Sequence, residues 1–125
     1  MRLLLDTHVY IWTLSDSRKL SAKARRLIDE AEEIYVSAAT IWEMAIKSGL
    51  GKLEGDPSEY VASIQRSGYR ELAVTAAHGG AILALEMHHK DPFDRLLIAQ
   101  AIEEGLQLLT SDELLARYSN QVILV

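Results

Sequence analysis

The sequence predicts an α/β three-layer sandwich, and three observations carry that expectation. Five short apolar runs punctuate the chain: Leu3-Leu4-Leu5, Ile34-Tyr35-Val36, Leu72-Ala73-Val74, Leu106-Gln107-Leu108-Leu109 and Val122-Ile123-Leu124. Several lack polar alternation, as strands buried on both faces of a parallel sheet do. Helical patterns with identifiable ends separate them, and such alternation builds a parallel sheet through right-handed crossovers.

Taken in order, the first run ends at Asp6, with a helix starting at Thr7 that Asp6 could cap. Ser21 opens a helix whose apolar face includes Ala24, Leu27, Ile28 and Ala31. The second run leads to Ser37, an N-cap for the helix that carries Glu43 in its first turns. Gly49-Leu50-Gly51-Lys52 superficially resembles a phosphate loop. However, Ile46 stands where the first glycine should be, and Leu53 follows the lysine in place of Ser or Thr, so a helix end and a turn are expected. Asp56-Pro57-Ser58-Glu59 combines an N-cap, a first-turn proline and an acid at the third helical position, and Gly68 closes that helix. Asp91-Pro92-Phe93-Asp94 repeats the start pattern, and Gly105 ends the helix it opens. The fourth run continues into Thr110-Ser111-Asp112, and the fifth ends the chain.

A length of 125 residues fits one domain spanning the whole chain, with no repeat, low-complexity tract or linker to divide it. The absence of cysteine removes thiolate zinc sites, disulfides and thiol redox chemistry. Asp6 interrupts the apolar run that a signal peptide would need, and no stretch approaches a membrane span, so a cytoplasmic location is expected. A formal net charge of −5 argues weakly against a nucleic-acid partner, although cations bound in an acidic site reverse the local sign. Arg18, Lys19, Lys23, Arg25 and Arg26 fall close together, either as a solvated helix face or as an RNA-facing surface.

In an open parallel sheet, ligands bind beyond the carboxyl ends of the strands. The predicted elements bring Asp6, Glu43, Asp94 and Asp112 to that edge from four separate segments. Each has a bland alternative: Asp6, Asp94 and Asp112 could serve helix starts, and Glu43 could be a solvated helix residue. Together, four clustered carboxylates would repel one another and raise their own pKa values unless divalent cations sat among them. Oxygen ligands without cysteine suit Mg²⁺ or Mn²⁺, which can activate water for phosphodiester cleavage. Thr7, Thr110 and Ser111 border two of the acids and could hold their oxygens. Lys47 could face a phosphate or pair with Glu43, and Arg95 adjoins Asp94 as a further phosphate contact. His8, His78, His88 and His89 share no ligand spacing, and Trp12 and Trp42 read as core or dimer-contact residues.

The chain resembles the PIN-domain family and, within it, the VapC-type toxins of toxin–antitoxin pairs. The likeness rests on Leu4-Leu5-Asp6-Thr7-His8, on Ser37 with Trp42 through Lys47, on His89-Lys90-Asp91-Pro92-Phe93-Asp94 continuing to Ala101, and on Leu109-Thr110-Ser111-Asp112. The family's acidic quartet matches Asp6, Glu43, Asp94 and Asp112. The resemblance implies strand order 3-2-1-4-5, a homodimer, Mg²⁺ or Mn²⁺, endonucleolytic cleavage of RNA, and a cognate VapB-like antitoxin. Competing readings fare worse. A receiver-type phosphoacceptor domain needs Asp at the end of the third strand and Lys at the end of the fifth, where Thr75-Ala76-Ala77 and Val125 stand. A dehalogenase-like phosphatase needs an acid where His8 stands, and a non-catalytic PIN-fold module would be expected to have lost acids.

Overall fold

Strands without polar alternation must be covered on both faces, and a computed structural model of the chain, describing residues 1–86 and 91–125, shows how. The elements run β1 (Arg2–Leu5), α1 (Thr7–Leu14), α2 (Ala22–Glu30), β2 (Glu33–Ser37), α3 (Ala38–Gly49), α4 (Pro57–Arg66), β3 (Arg70–Leu72), α5 (Ala76–Ala81), α6 (Pro92–Glu104), β4 (Gln107–Thr110) and β5 (Val122–Leu124). Short 3-10 turns occupy Ile82–Ala84 and Leu115–Arg117. The strands form one five-stranded sheet in the expected order β3-β2-β1-β4-β5. Every pairing is parallel.

The central strand shows why its run is entirely leucine. Leu3 and Leu5 face one core with Val9, Tyr10, Ala24, Met44 and Ile64, contributed by α1, α2, α3 and α4. Leu4 points the other way, into a core with Leu97, Ile98, Ala101 and Leu115. This is the two-residue period of a strand used on both sides. Burying each leucine contributes about 1.5–3 kcal/mol.

The predicted caps are present: Ser21, Ser37, Asp56 and Asp91 each accept a backbone N–H at a helix start. Gly105 takes the left-handed conformation (φ 66) that ends α6. Segment 49–52 is a helix end and turn as expected, with Gly51 at φ 73.

Two strands are displaced from their expected limits. β3 covers Arg70–Leu72, not residues 72–74, because its register is set by pairing to Tyr35, Val36 and Ser37. As an edge strand it tolerates exposed Arg70 and Glu71, while Val74 runs past the sheet. Leu106 belongs to the turn before β4, where its N–H reaches the Ala101 carbonyl at 2.9 Å. Trp12 packs partly buried against the first core, whereas Trp42 is 63% exposed and rests edge-on against Phe93. The core reading therefore fails for Trp42. Among the described residues, no helix is long and apolar enough to cross a membrane.

Candidate active site: a carboxylate cleft

β1 and β4 end side by side, and both lead directly into acids. Beyond them opens a cleft of about 270 Å³, lined by the predicted acids Asp6, Glu43, Asp94 and Asp112 together with Thr7, Lys47 and Ser111. Asp91 and His8 also line it. His8 projects from the first turn of α1, close behind Asp6, a place at the lip that ligand spacing alone does not reveal. The sequence marks Asp91 only as an N-cap. It performs that role, accepting from the Phe93 and Asp94 N–H groups at 2.9 and 3.3 Å, while also facing the cleft.

Two of the acids are buried and held by threonines. One oxygen of Asp6 accepts the Val9 N–H at 2.8 Å, capping α1, and the other accepts the Thr110 hydroxyl at 2.5 Å. The Thr110 oxygen in turn accepts the Asp112 N–H at 3.1 Å, so one hydroxyl links the ends of β1 and β4. Glu43 accepts the Thr7 hydroxyl at 2.8 Å on one oxygen and stands 2.8 Å from the Lys47 ammonium on the other. Thr40 lies 3.3 Å behind Thr7 and continues the network into the core. Asp112 accepts the Leu114 N–H at 2.9 Å, and Asp94 sits in the first turn of α6 where the helix dipole favours it. Capping and cleft-lining thus coincide in Asp6 and Asp91.

Burial pushes the Asp6 carboxyl above its ordinary value. The bonds from Thr110 and Val9 and the nearby His8 oppose that rise, and repulsion from Glu43 adds to it only weakly. The expected upward shift is present at Asp6, with desolvation its larger cause and repulsion from Glu43 the smaller.

The remaining predicted residues divide. Lys47 pairs with Glu43, and Ser111 lines the cleft. Arg95 is not among the lining residues. Its guanidinium donates to the carbonyls of Ile82 and Leu85 at 3.4 and 3.3 Å, tying α6 to the turn after α5, and this replaces the expected phosphate contact. His78 is buried, caps α5 and binds Glu104 at 2.8 Å, away from the cleft. His88 and His89 lie outside the described residues. Among the described residues, no three His, Asp or Glu side chains converge closely enough to hold one cation as they stand. Asp6, Glu43, Asp91 and Asp112 are engaged instead by threonines, backbone amides and Lys47.

Fold and site together define an α/β protein whose working edge is a cleft of oxygen donors. The chain belongs to the PIN-domain family, whose model matches residues 3–121. It is 31% identical over 111 residues to ribonuclease VapC22 of Mycobacterium tuberculosis, covering 87% of this chain and 85% of that protein. Its fold is similar to that of VapBC2 from Rickettsia felis, solved bound to a DNA fragment from its promoter, with TM-score 0.70, 17% identity and coverage of 100% and 98%. It is also similar to M. tuberculosis VapC20, a sarcin–ricin-loop-cleaving toxin, with TM-score 0.63, 17% identity and coverage of 92% and 93%.

Proposed function

We propose that this chain is a single-domain, divalent-metal-dependent endoribonuclease, the toxin of a VapBC-type pair, with Asp6, Glu43, Asp94 and Asp112 as the ligands of Mg²⁺ or Mn²⁺. The observation that carries the reading is the meeting of these four acids in one cleft, two of them buried on threonine hydroxyls. Burying Asp6 and Glu43 is costly, and a fold that needed only capping would leave both in solvent. The kinship with ribonuclease VapC22 supports RNA as substrate. The donor set fits a hard cation, since it offers carboxylate oxygens and the chain holds no thiol.

A divalent ion bound there supplies positive charge to the scissile phosphate and makes a coordinated water more acidic. The chain supplies the rest. Thr110 and Thr7 orient the Asp6 and Glu43 carboxylates, and the N-terminus of α6 places Asp94 across from them. Lys47 holds its ammonium beside Glu43, the charge that an incoming cation would displace or that would turn to a phosphate. The carboxylates must draw together around the ion, because they do not converge as they stand. We also propose a VapB-like antitoxin and a homodimer as partners, on the strength of the VapBC relatives, and a cytoplasmic place of action.

The lack of convergence favours one rival, a PIN-fold binding module without catalysis. Purified protein incubated with total cellular RNA, with and without Mg²⁺ or Mn²⁺, separates the two. Metal-dependent cuts bearing 5′-phosphate and 3′-hydroxyl ends are expected, since water attacking phosphorus in line with the 3′-oxygen breaks the P–O3′ bond and leaves those groups. Asp94→Asn should nearly abolish cutting while preserving the fold. Cyclic 2′,3′-phosphate ends that persist in EDTA would mean that the RNA's own hydroxyl attacks, and would overturn the metal reading.

A further inference from the structure

His8 lines the cleft, yet the proposed chemistry gives its ring no part. It is exposed on the first turn of α1. Burial raises the Asp6 carboxyl, and His8 stands near enough to oppose that rise, which places the imidazole beside Asp6. One turn on, Trp12 occupies the same face of α1 and packs, partly buried, against the first core. The two ring centroids are 6.0 Å apart with their planes tilted by 57°, an ordinary spacing for an attractive aromatic pair. Trp12 is thus anchored in the fold and braces the imidazole, whose exposed remainder lines the cleft.

The cleft offers a polyanion little else. Its other described lining residues are carboxylates, hydroxyls and Lys47, whose ammonium is paired with Glu43. Among the described residues, His8 supplies the one ring in the lining. A bound divalent ion takes the scissile phosphate, but the neighbouring phosphates still face carboxylates, so charge alone holds a strand poorly there. Single-stranded RNA has an uncharged handle as well, because its unstacked bases lie flat on aromatic side chains, histidine included. Support of α1 would account for the contact with Trp12. It does not account for an aromatic ring presented, exposed and braced, in a cleft of oxygen donors.

We propose that the imidazole of His8, braced by Trp12, is the platform on which the base of a nucleotide next to the scissile bond stacks, an inference that rests on the ribonuclease reading above. The stacked base positions the strand while the acids receive the scissile phosphate. Such a contact accepts any base, since every base has a π face. It releases no counterions, so its contribution does not depend on salt.

The probe is a fluorescein-labelled single-stranded RNA containing a cut site mapped with the wild type, its affinity read by anisotropy in EDTA between about 50 and 200 mM KCl. His8→Ala and His8→Asn should each weaken binding by about 5–100-fold, the cost of removing an aromatic from a base, and by the same factor at every salt concentration. His8→Phe keeps a ring and should bind as the wild type does. An abasic ribose on one side of the cut should weaken wild-type binding by a similar factor and weaken His8→Ala no further. The substitutions change an exposed position, and circular dichroism checks that each variant is folded. Tight binding by the asparagine variant with loss in the phenylalanine variant would make His8 a polar contact and overturn the platform. So would a loss in His8→Ala that fades as salt rises, or abasic RNAs that weaken both proteins equally. Undiminished binding by His8→Ala, with RNA still cut by the wild type, would overturn the platform and leave the nuclease reading standing. A wild type that cuts no RNA would overturn both.

Discussion

Thr110→Val keeps the shape of a fully buried side chain and removes the hydroxyl that joins Asp6 to the Asp112 amide. A hydrogen bond to a charged group is worth about 1.5–3 kcal/mol, and a buried acceptor left without its donor loses the upper part of that range. The Asp112 amide is partly exposed, so water can replace its bond and the second loss is small. Together they set a cost of about 2–3 kcal/mol at neutral pH. For a chain of this size that lowers the melting temperature by about 6–12 °C, at roughly 3–4 °C per kcal/mol. The pH dependence is diagnostic. The Thr110 bond favours ionised Asp6 and holds its raised pKa down, so losing it raises the folded-state pKa further. The deficit should be greatest where wild-type Asp6 is ionised and should shrink as pH falls through that pKa, because a protonated Asp6 makes less demand on the donor. Thr110→Ser keeps the hydroxyl and should lose about 0.8 kcal/mol at most for the methyl. Thermal melts in EDTA across the acid-to-neutral range, with Mn²⁺ titrations by calorimetry, measure both consequences. Loss of this supporting bond should weaken metal binding by about 10–100-fold. A valine variant with wild-type melting at pH 7, or with an equal deficit at every pH and undiminished Mn²⁺ affinity, would refute the assignment of Thr110 as the support of a metal-binding Asp6.

Two further outcomes follow from the same network. Lys47→Met removes the ammonium 2.8 Å from Glu43, so Mn²⁺ affinity should rise about 5-fold, corresponding to roughly 1 kcal/mol for a partly exposed pair, while the metal-free protein melts lower. Unchanged or weaker Mn²⁺ binding would count against Glu43 as a ligand. For Asp6→Asn, the native state of the wild type binds more protons than the unfolded chain between the ordinary and the raised pKa of Asp6. Wild-type stability without metal should therefore fall as pH rises through that window, by about 1.4 kcal/mol for each tenfold difference in proton affinity between folded and unfolded Asp6, and then level off. The amide can still accept the Val9 N–H, so the variant should show a flatter profile and gain relative to wild type at neutral pH. A profile as steep as the wild type's would place the titration elsewhere.

The fold was legible where local and global signals agree. Leu3-Leu4-Leu5 needs two covered faces, Pro57 and Pro92 open helices behind aspartate caps, and Gly105 supplies the left-handed stop. β3 departs from its expected place because Leu72-Ala73-Val74 is the more apolar run, yet strand limits at an edge are set by hydrogen bonding to β2. No single-chain pattern carries that register. Trp42 shows the same limit from the other side: its size suggests a core, but the positions of α3 that turn inward are Ala39, Thr40, Glu43 and Met44.

That the four acids line one cleft was legible from sequence because strand ends and helix starts are fixed by local chemistry: Asp6, Asp94 and Asp112 sit at or just beyond one, and Glu43 follows in the second turn of α3. Their supports were less legible because they act across the fold. Thr110 adjoins Asp112 in the chain but binds Asp6 from 104 residues away, and Thr7 adjoins Asp6 but binds Glu43. Each threonine thus serves the acid of another segment, a relation that exists only once the strands are parallel neighbours. Arg95 fails for the complementary reason: adjacency to Asp94 suggested a shared direction, but neighbouring positions on a helix point about 100° apart. The guanidinium consequently reaches the turn after α5 while Asp94 faces the cleft. Sequence proximity is thus a sound guide to which backbone segments meet at the edge. It is a poor guide to which side chains touch there, and the Thr110–Asp6 and Thr7–Glu43 bonds are where the two separate.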